Sequence, residues 1–264
     1  LQTPFVWHGT GIPERIKAMI LQLNPDDDEA ERDERMSIER RMARELANAM
    51  QDHMAVLLPP GADDMDPTDV ARAVTANAAM PQRVRDILAR ELTRSADLGV
   101  SVAARQFENV GFGFDWTMVN VRAREWAEQH AGALIRDIDD TTRRTVQQAI
   151  GRWMQNGDPL GGLTEDLTGL FGRRRAELIA ATEVTRAFAE ANRIAYRESG
   201  VVSLIKWRTA MDERVCPICG PLGNADPAPL ADGVQGIFPP AHPGCRCWIV
   251  PMIMTEQEYQ RGRD

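Results

Sequence analysis

All four cysteines of this 264-residue chain, and one of its four histidines, lie between Cys216 and Cys247. They form two short runs, Cys216-Pro-Ile-Cys219 and His242-Pro-Gly-Cys245-Arg-Cys247, separated by a polar loop. Soft donors presented on paired tight turns are how a chain builds a tetrahedral zinc site. A structural metal there would staple a segment that otherwise lacks the apolar bulk to fold. Nothing else in the composition points as directly to a particular chemistry.

Five candidate ligands compete for four positions. Cys216 and Cys219 fit a C-x2-C turn whose thiolates share one concavity, and His242 and Cys245 repeat that separation. Cys247 follows two residues later, so in an extended segment it faces the same way as Cys245. The expected set is Cys216, Cys219, His242 and Cys245, with Cys247 as the substitute for His242. Two other chemistries use such cysteines. A disulfide pair needs an oxidising compartment, and the chain shows no signal peptide to take it there. A redox C-x-x-C needs its first cysteine at a helix N-terminus, and Gly220-Pro221 directly after Cys219 argues against a helix.

Length allows one large domain or two modest ones. No apolar run approaches a membrane span. The chain opens on Leu1, which suggests a processed product or a piece of a longer polypeptide. Net charge is −8, and residues 1–116 carry 13 basic against 20 acidic groups. That balance disfavours autonomous tight binding to DNA, which needs a broad basic excess. Arg173-Arg174-Arg175 is too short a cluster to reverse this and reads as a solvated helix start.

Most of the chain reads as helix. Pro13 opens a short amphipathic piece to Leu23, and the acidic Asp26 to Glu29 suits the N-terminus of a helix reaching about Leu58. Met36, Met42, Leu46 and Met50 are among its apolar positions, and Pro59-Pro60-Gly61 ends it. Asp66-Pro67 is an N-cap and first-turn proline for a helix that stops before Pro81. A further helix covers 81–110 with a weak point at Gly99, and Gly111 to Asp115 reads as a hinge. Val119, Ala123, Trp126, Leu134, Ile138, Ala149 and Trp153 then form one stripe over 116–155, a helix roughly 60 Å long. His130 near that stripe is an ordinary packed histidine.

A short helix over 164–171 is expected with Thr164 as its cap, followed by a long one over 173–199 closed by Gly200. Leu178, Ile179, Phe188, Ala191 and Ala195 mark its buried side. Glu183 and Arg186 make an i,i+3 surface ion pair. Beyond Gly200 the β-branched run Val201 to Trp207 and the run Cys247 to Val250 read as strands. The predicted fold is mainly α, a long-helix body with a small C-terminal β-containing zinc knuckle (α+β). Its regions are an acidic helical 1–115, a long-helix 116–200 and a cysteine/histidine segment 201–264.

The stretch from Trp207 through Asp212, Arg214, Cys216 and Cys219, then Phe238 to Cys247, resembles the signature of phage head-morphogenesis proteins, the Mu F-like minor capsid proteins. Asp139-Asp140-Thr141-Thr142-Arg143, the Gly157 to Leu160 break and Ala181 to Ala187 agree with it, so the likeness covers about residues 117–251. The first 116 residues match only in being helical. The resemblance implies a minor head protein at the portal vertex, acting in head assembly, DNA packaging or DNA release. Its implied partners are the portal protein, then major capsid or scaffold protein, with packaged DNA touched weakly or indirectly and no membrane. The implied location is the virion head interior, with the host cytoplasm during assembly.

The family's donors map onto Cys216, Cys219, His242, Cys245 and Cys247, with Zn2+ as the cofactor. Some relatives carry toxin or ADP-ribosyltransferase domains beyond this region, and Met252 to Asp264 is too short for one. No phosphate-binding glycine loop, nucleophile elbow or H-E-x-x-H occurs, so no catalytic residue is expected. Asp212 and Arg214 are expected to orient the first cysteine turn. The alternative is a phage-delivered effector enzyme acting on nucleic acid.

Overall fold

The computed structural model describes residues 25–108, 115–200, 202–210, 212–213 and 215–252. The expected helix from Pro13 to Leu23, most of the Gly111 to Asp115 hinge, Arg214 and the end of the chain lie outside these residues. The described elements are α1 (Pro25–Leu57), a 3-10 turn (Ala62–Asp64), α2 (Pro67–Asn77), α3 (Gln82–Glu108) and α4 (Thr117–Asn156). They continue with α5 (Leu160–Leu170), α6 (Arg173–Ser199), β1 (Leu204–Arg208), α7 (Cys219–Asn224), β2 (Ala228–Pro229) and β3 (Trp248–Met252). The architecture is mainly α with one small sheet, as the sequence predicts.

Local chemistry sets most boundaries. Gly61 takes φ +73° just after α1, a left-handed conformation that glycine enters at little cost. Asp66 caps α2, its carboxylate accepting the Thr68 N–H at 2.8 Å, with Pro67 in the first turn. Asp115 accepts the Thr117 N–H at 3.0 Å ahead of α4. Gly200 ends α6 at φ +65°. One expected cap is corrected. The helix after α4 begins at Leu160 behind Pro159, and Thr164 lies one turn inside it, its hydroxyl donating to the Leu160 carbonyl at 3.1 Å.

The described residues group into two compact units, and each of the four long helices divides its residues between them. The second unit takes residues 39–91 and 128–180. Met42, Leu46, Met50, Val70, Val74, Leu88, Leu163, Leu167 and Phe171 are buried in it. Its buried and partly buried charged groups are hydrogen-bonded. Asp139 accepts the Met80 N–H at 2.8 Å and Arg85 at 2.6 Å. Arg175, expected to be solvated, is partly buried and donates to Thr142 Oγ1 and the Leu170 carbonyl, both at 3.0 Å.

The first unit takes the described residues within 25–38, 92–127 and 181–252. Here α3 and α6 run side by side in the same direction. Ser95 Oγ donates to the Val184 carbonyl at 2.8 Å and Tyr196 Oη to Gln106 Oε1 at 3.0 Å. Between these points Gly99 lies so close that a Cβ there would sit 2.7 Å from the Phe188 carbonyl oxygen. The expected weak point is therefore a close-approach point inside an unbroken helix. The buried face of α6 is Ala187, Phe188, Ala191, Ala195 and Tyr196, as expected for Phe188, Ala191 and Ala195. Leu178 is a correction: it is 47% exposed.

The sheet has strand order β2-β1-β3 with both pairings antiparallel. Lys206 pairs with Val250 and Arg208 with Trp248. Tyr196 Oη also reaches the Ile249 carbonyl at 3.4 Å, tying α6 to β3. The long connection from β1 to β3 carries both cysteine turns.

Candidate metal centre

Each cysteine turn is fixed by its own backbone before any metal is considered. The Gly220 N–H donates to the Cys216 carbonyl at 3.0 Å, and the Cys219 N–H approaches Cys216 Sγ at 3.4 Å. Cys219 is the first residue of α7, with Pro221 in its first turn, where its lacking N–H costs no helix bond. The expectation that no helix follows this turn is thereby corrected. It is the second cysteine, not the first, that stands at the helix start, which is not the thioredoxin-like arrangement. Gly223 lets α7 lie against Thr209, whose Cγ2 a Cβ there would meet at 2.7 Å.

The second turn closes through the Cys245 N–H to the His242 carbonyl at 3.1 Å, with Gly244 at φ +77°. The Gly244 N–H is captured by Thr182 Oγ1 of α6 at 2.8 Å. Arg246 points back to Asp212 in a two-pronged pair of 2.7 and 2.8 Å, which corrects the role expected for Asp212: it holds the second cysteine turn, not the first. Cys247 directly precedes β3.

These turns bring all five predicted donors together. Cys216, Cys219 and His242 form one group, and Cys219, Cys245 and Cys247 another, with donor atoms in each group within 4.8 Å of one another. Cys219 belongs to both. No pair is disulfide-bonded. Cys219 Sγ and Cys245 Sγ are 3.8 Å apart. Two sulfurs bound about 2.3 Å from one tetrahedral ion lie about 3.8 Å from each other, so this spacing fits a shared metal. His242 Nε2 lies 3.0 Å from Cys216 Sγ and 3.2 Å from Cys219 Sγ. Its Nδ1 is 2.8 Å from the Pro243 carbonyl, which accepts the Nδ1 proton and leaves the Nε2 lone pair facing the sulfurs. The cluster can hold a metal ion.

The electrostatics agree. The hydrogen bond from the Cys247 side chain, working against burial, brings the Cys245 thiol down to about 5. Cys247, as the donor to Cys245 and by burial, is pushed up. Burial first, then the Cys245 charge, raises Cys219 to about 12. At Cys216 burial opposes ionisation, but the N–H groups of Cys219 and Ile218 outweigh it and the thiol falls below its ordinary value. At His242 burial is likewise outweighed, by the Pro243 carbonyl and the nearby thiolates, and the imidazole is raised. The buried Trp207 indole N–H meets no acceptor at full hydrogen-bond geometry, yet it offsets part of the rise at Cys247. An ionised Cys247 sulfur would complete that contact.

Sequence reasoning missed what surrounds the cluster. Arg35 of α1 is 3% exposed, and its guanidinium donates to the Arg246 carbonyl at 2.6 Å and the Cys247 carbonyl at 3.3 Å. It stacks over the Phe188 and Trp248 rings at 5.2 and 4.9 Å. A single arginine in a helix rich in them carries no signal of such a role. Glu183, expected on the surface, is buried beside Arg186 at 3.1 Å.

Helix packing and a cysteine/histidine knuckle define a helical protein with a small C-terminal metal-competent module. Residues 144–250 match the family described as Phage Mu protein F like protein. This stretch contains all five donors, so over it the chain is similar to the phage Mu F-like family. That family is a structural one of the phage head. No curated protein and no solved structure matches the chain. Among the described residues no helix is long and apolar enough to cross a membrane.

Proposed function

We propose that this chain is a minor head protein of a tailed phage, acting at the portal vertex in head assembly, DNA packaging or DNA release, with a structural zinc ion in its knuckle. The observation that carries this reading is that the family match and the five-donor cluster fall on the same residues. Zinc would be held by Cys216, Cys219 and Cys245 with His242 or Cys247 completing four positions. It would supply a cross-link between the two cysteine turns. The portal protein is the first partner, and major capsid or scaffold protein the second. Packaged DNA is a weak or indirect contact, given the net charge of −8.

An effector enzyme acting on nucleic acid would need a coordination position left open to water beside a general base. Five protein donors within one cluster are instead enough to close a tetrahedral site. Quantitative mass spectrometry of purified virions, counting this chain against the portal protein, tests the assignment. A few copies per particle, retained through high-salt washing, are expected. Absence from both virions and precursor heads would overturn it.

A further inference from the structure

We infer that Arg35 is a positioning residue for the metal-ligand segment, so that metal loading and the docking of the N-terminal half of α1 form one coupled equilibrium. The inference rests on the reading of the cysteine/histidine cluster as a metal site. It extends that site to a helix outside the family-matched residues 144–250.

The segment from Gly244 to Trp248 carries two of the five donors and is held from three directions. Thr182 of α6 takes the Gly244 N–H, and Asp212 takes the Arg246 guanidinium. The third hold, Arg35, is the only one of these that comes from α1. Its two prongs bracket Cys247 by binding the carbonyls at 246 and 247, and so fix the peptide between Cys245 and β3. A planar fork does this where an ammonium could satisfy only one carbonyl at a time with good geometry.

The same guanidinium lies over Trp248, the residue directly after Cys247, and over Phe188 of α6. A buried cation needs such partners, because leaving it unpaired out of water is costly. Arg35 can therefore occupy this position only when residues 246–248 take the path that presents Cys245 and Cys247 to the cluster. Conversely, that path gains the Arg35 hold, beyond those of Thr182 and Asp212, only while α1 is docked. The coupling is reciprocal by thermodynamic necessity: whatever α1 docking adds to metal affinity, metal loading adds to α1 docking.

Outer partners that orient a ligand segment are typically worth about 10- to 100-fold in metal affinity. The test uses the full chain, with zinc affinity read by competition against a chromophoric chelator in the parent, Arg35→Met and Arg35→Lys. Amide hydrogen exchange over residues 31–38 is followed in zinc-loaded and zinc-stripped parent. Affinity should fall about tenfold or more in Arg35→Met, with Arg35→Lys recovering only part of it. Stripping zinc from the parent should speed exchange over 31–38.

If Arg35→Met fails to fold, the parent exchange experiment decides by itself. Unchanged exchange over 31–38 on stripping, in a parent that binds zinc, overturns the coupling and leaves the metal centre standing. Equal zinc affinity in a folded Arg35→Met does the same. A parent that binds no zinc overturns both.

Discussion

Glu91 is fully buried, and its carboxylate is held by two arginines. Arg41 donates to Oε2 at 2.7 and 3.0 Å, and Arg90 to Oε1 at 2.8 Å. Removing the carboxylate takes a counter-charge from both arginines, although Arg90 keeps its pair with Glu45. Both arginines keep about a third or more of their side chains in solvent, which softens the loss. Glu91→Ala should therefore cost about 2 kcal/mol, below the roughly 3–5 kcal/mol of a fully buried pair broken on one side. Urea unfolding of the variant against the parent checks it; an unchanged midpoint would contradict the assignment.

His53 makes a residue-level prediction of a different kind. Its Nε2 is buried without a hydrogen-bond partner, its ring meets the Phe171 edge at 5.4 Å, and burial holds its pKa below the ordinary value despite the Asn77 carbonyl and Asp139. Above pH about 6.5 the imidazole is neutral in both folded and unfolded chains. Below it the unfolded chain takes up the proton first, so stability drains away on acidification until the pH passes the folded pKa. The stability difference between parent and His53→Gln should be flat above pH 7 and shift against the parent below about 6.5. A difference independent of pH would exclude this contribution.

At the scale of elements, the α3 and α6 contact is decided by small side chains. A methyl group on Gly99 would lie 2.7 Å from the Phe188 carbonyl oxygen and 2.8 Å from Ala191 Cβ. Gly99→Ala gains about 1 kcal/mol of helix propensity. Forcing the helices apart costs typically about 1–3 kcal/mol. The net expectation is a lower melting temperature, and a higher one would show that the helices yield freely. The sequence marks Gly99 as exceptional but assigns it the wrong reason, since a break and a close approach both call for glycine. Leu178 fails for a related cause. Bulk normally marks a buried face, but the buried side of α6 is largely alanine, and the larger Leu178 is left in solvent.

For the molecule as a whole, legibility tracks sequence separation. The helices were readable because capping residues and apolar spacing act within a few turns, and the donor set because C-x2-C is a local pattern. The Thr182 bond to Gly244 and the Arg35 fork each join residues far apart in the chain, and no periodicity encodes them. Cys216→Ser and Cys219→Ser bear on this division directly. Far-UV circular dichroism should stay close to the parent, because the long helices do not contain these residues. The near-UV signal of Trp207 and Trp248, buried in β1 and β3, should weaken. Unchanged near-UV spectra and melting would show that the knuckle stands without its staple.

The most direct measurement is X-ray absorption at the zinc edge on the purified full-length chain. The expected first shell holds four donors, three or four of them sulfur at about 2.3 Å with any remaining position filled by imidazole nitrogen. A shell containing a water oxygen, fewer than three sulfurs, or no zinc at all would contradict a closed structural centre in this knuckle.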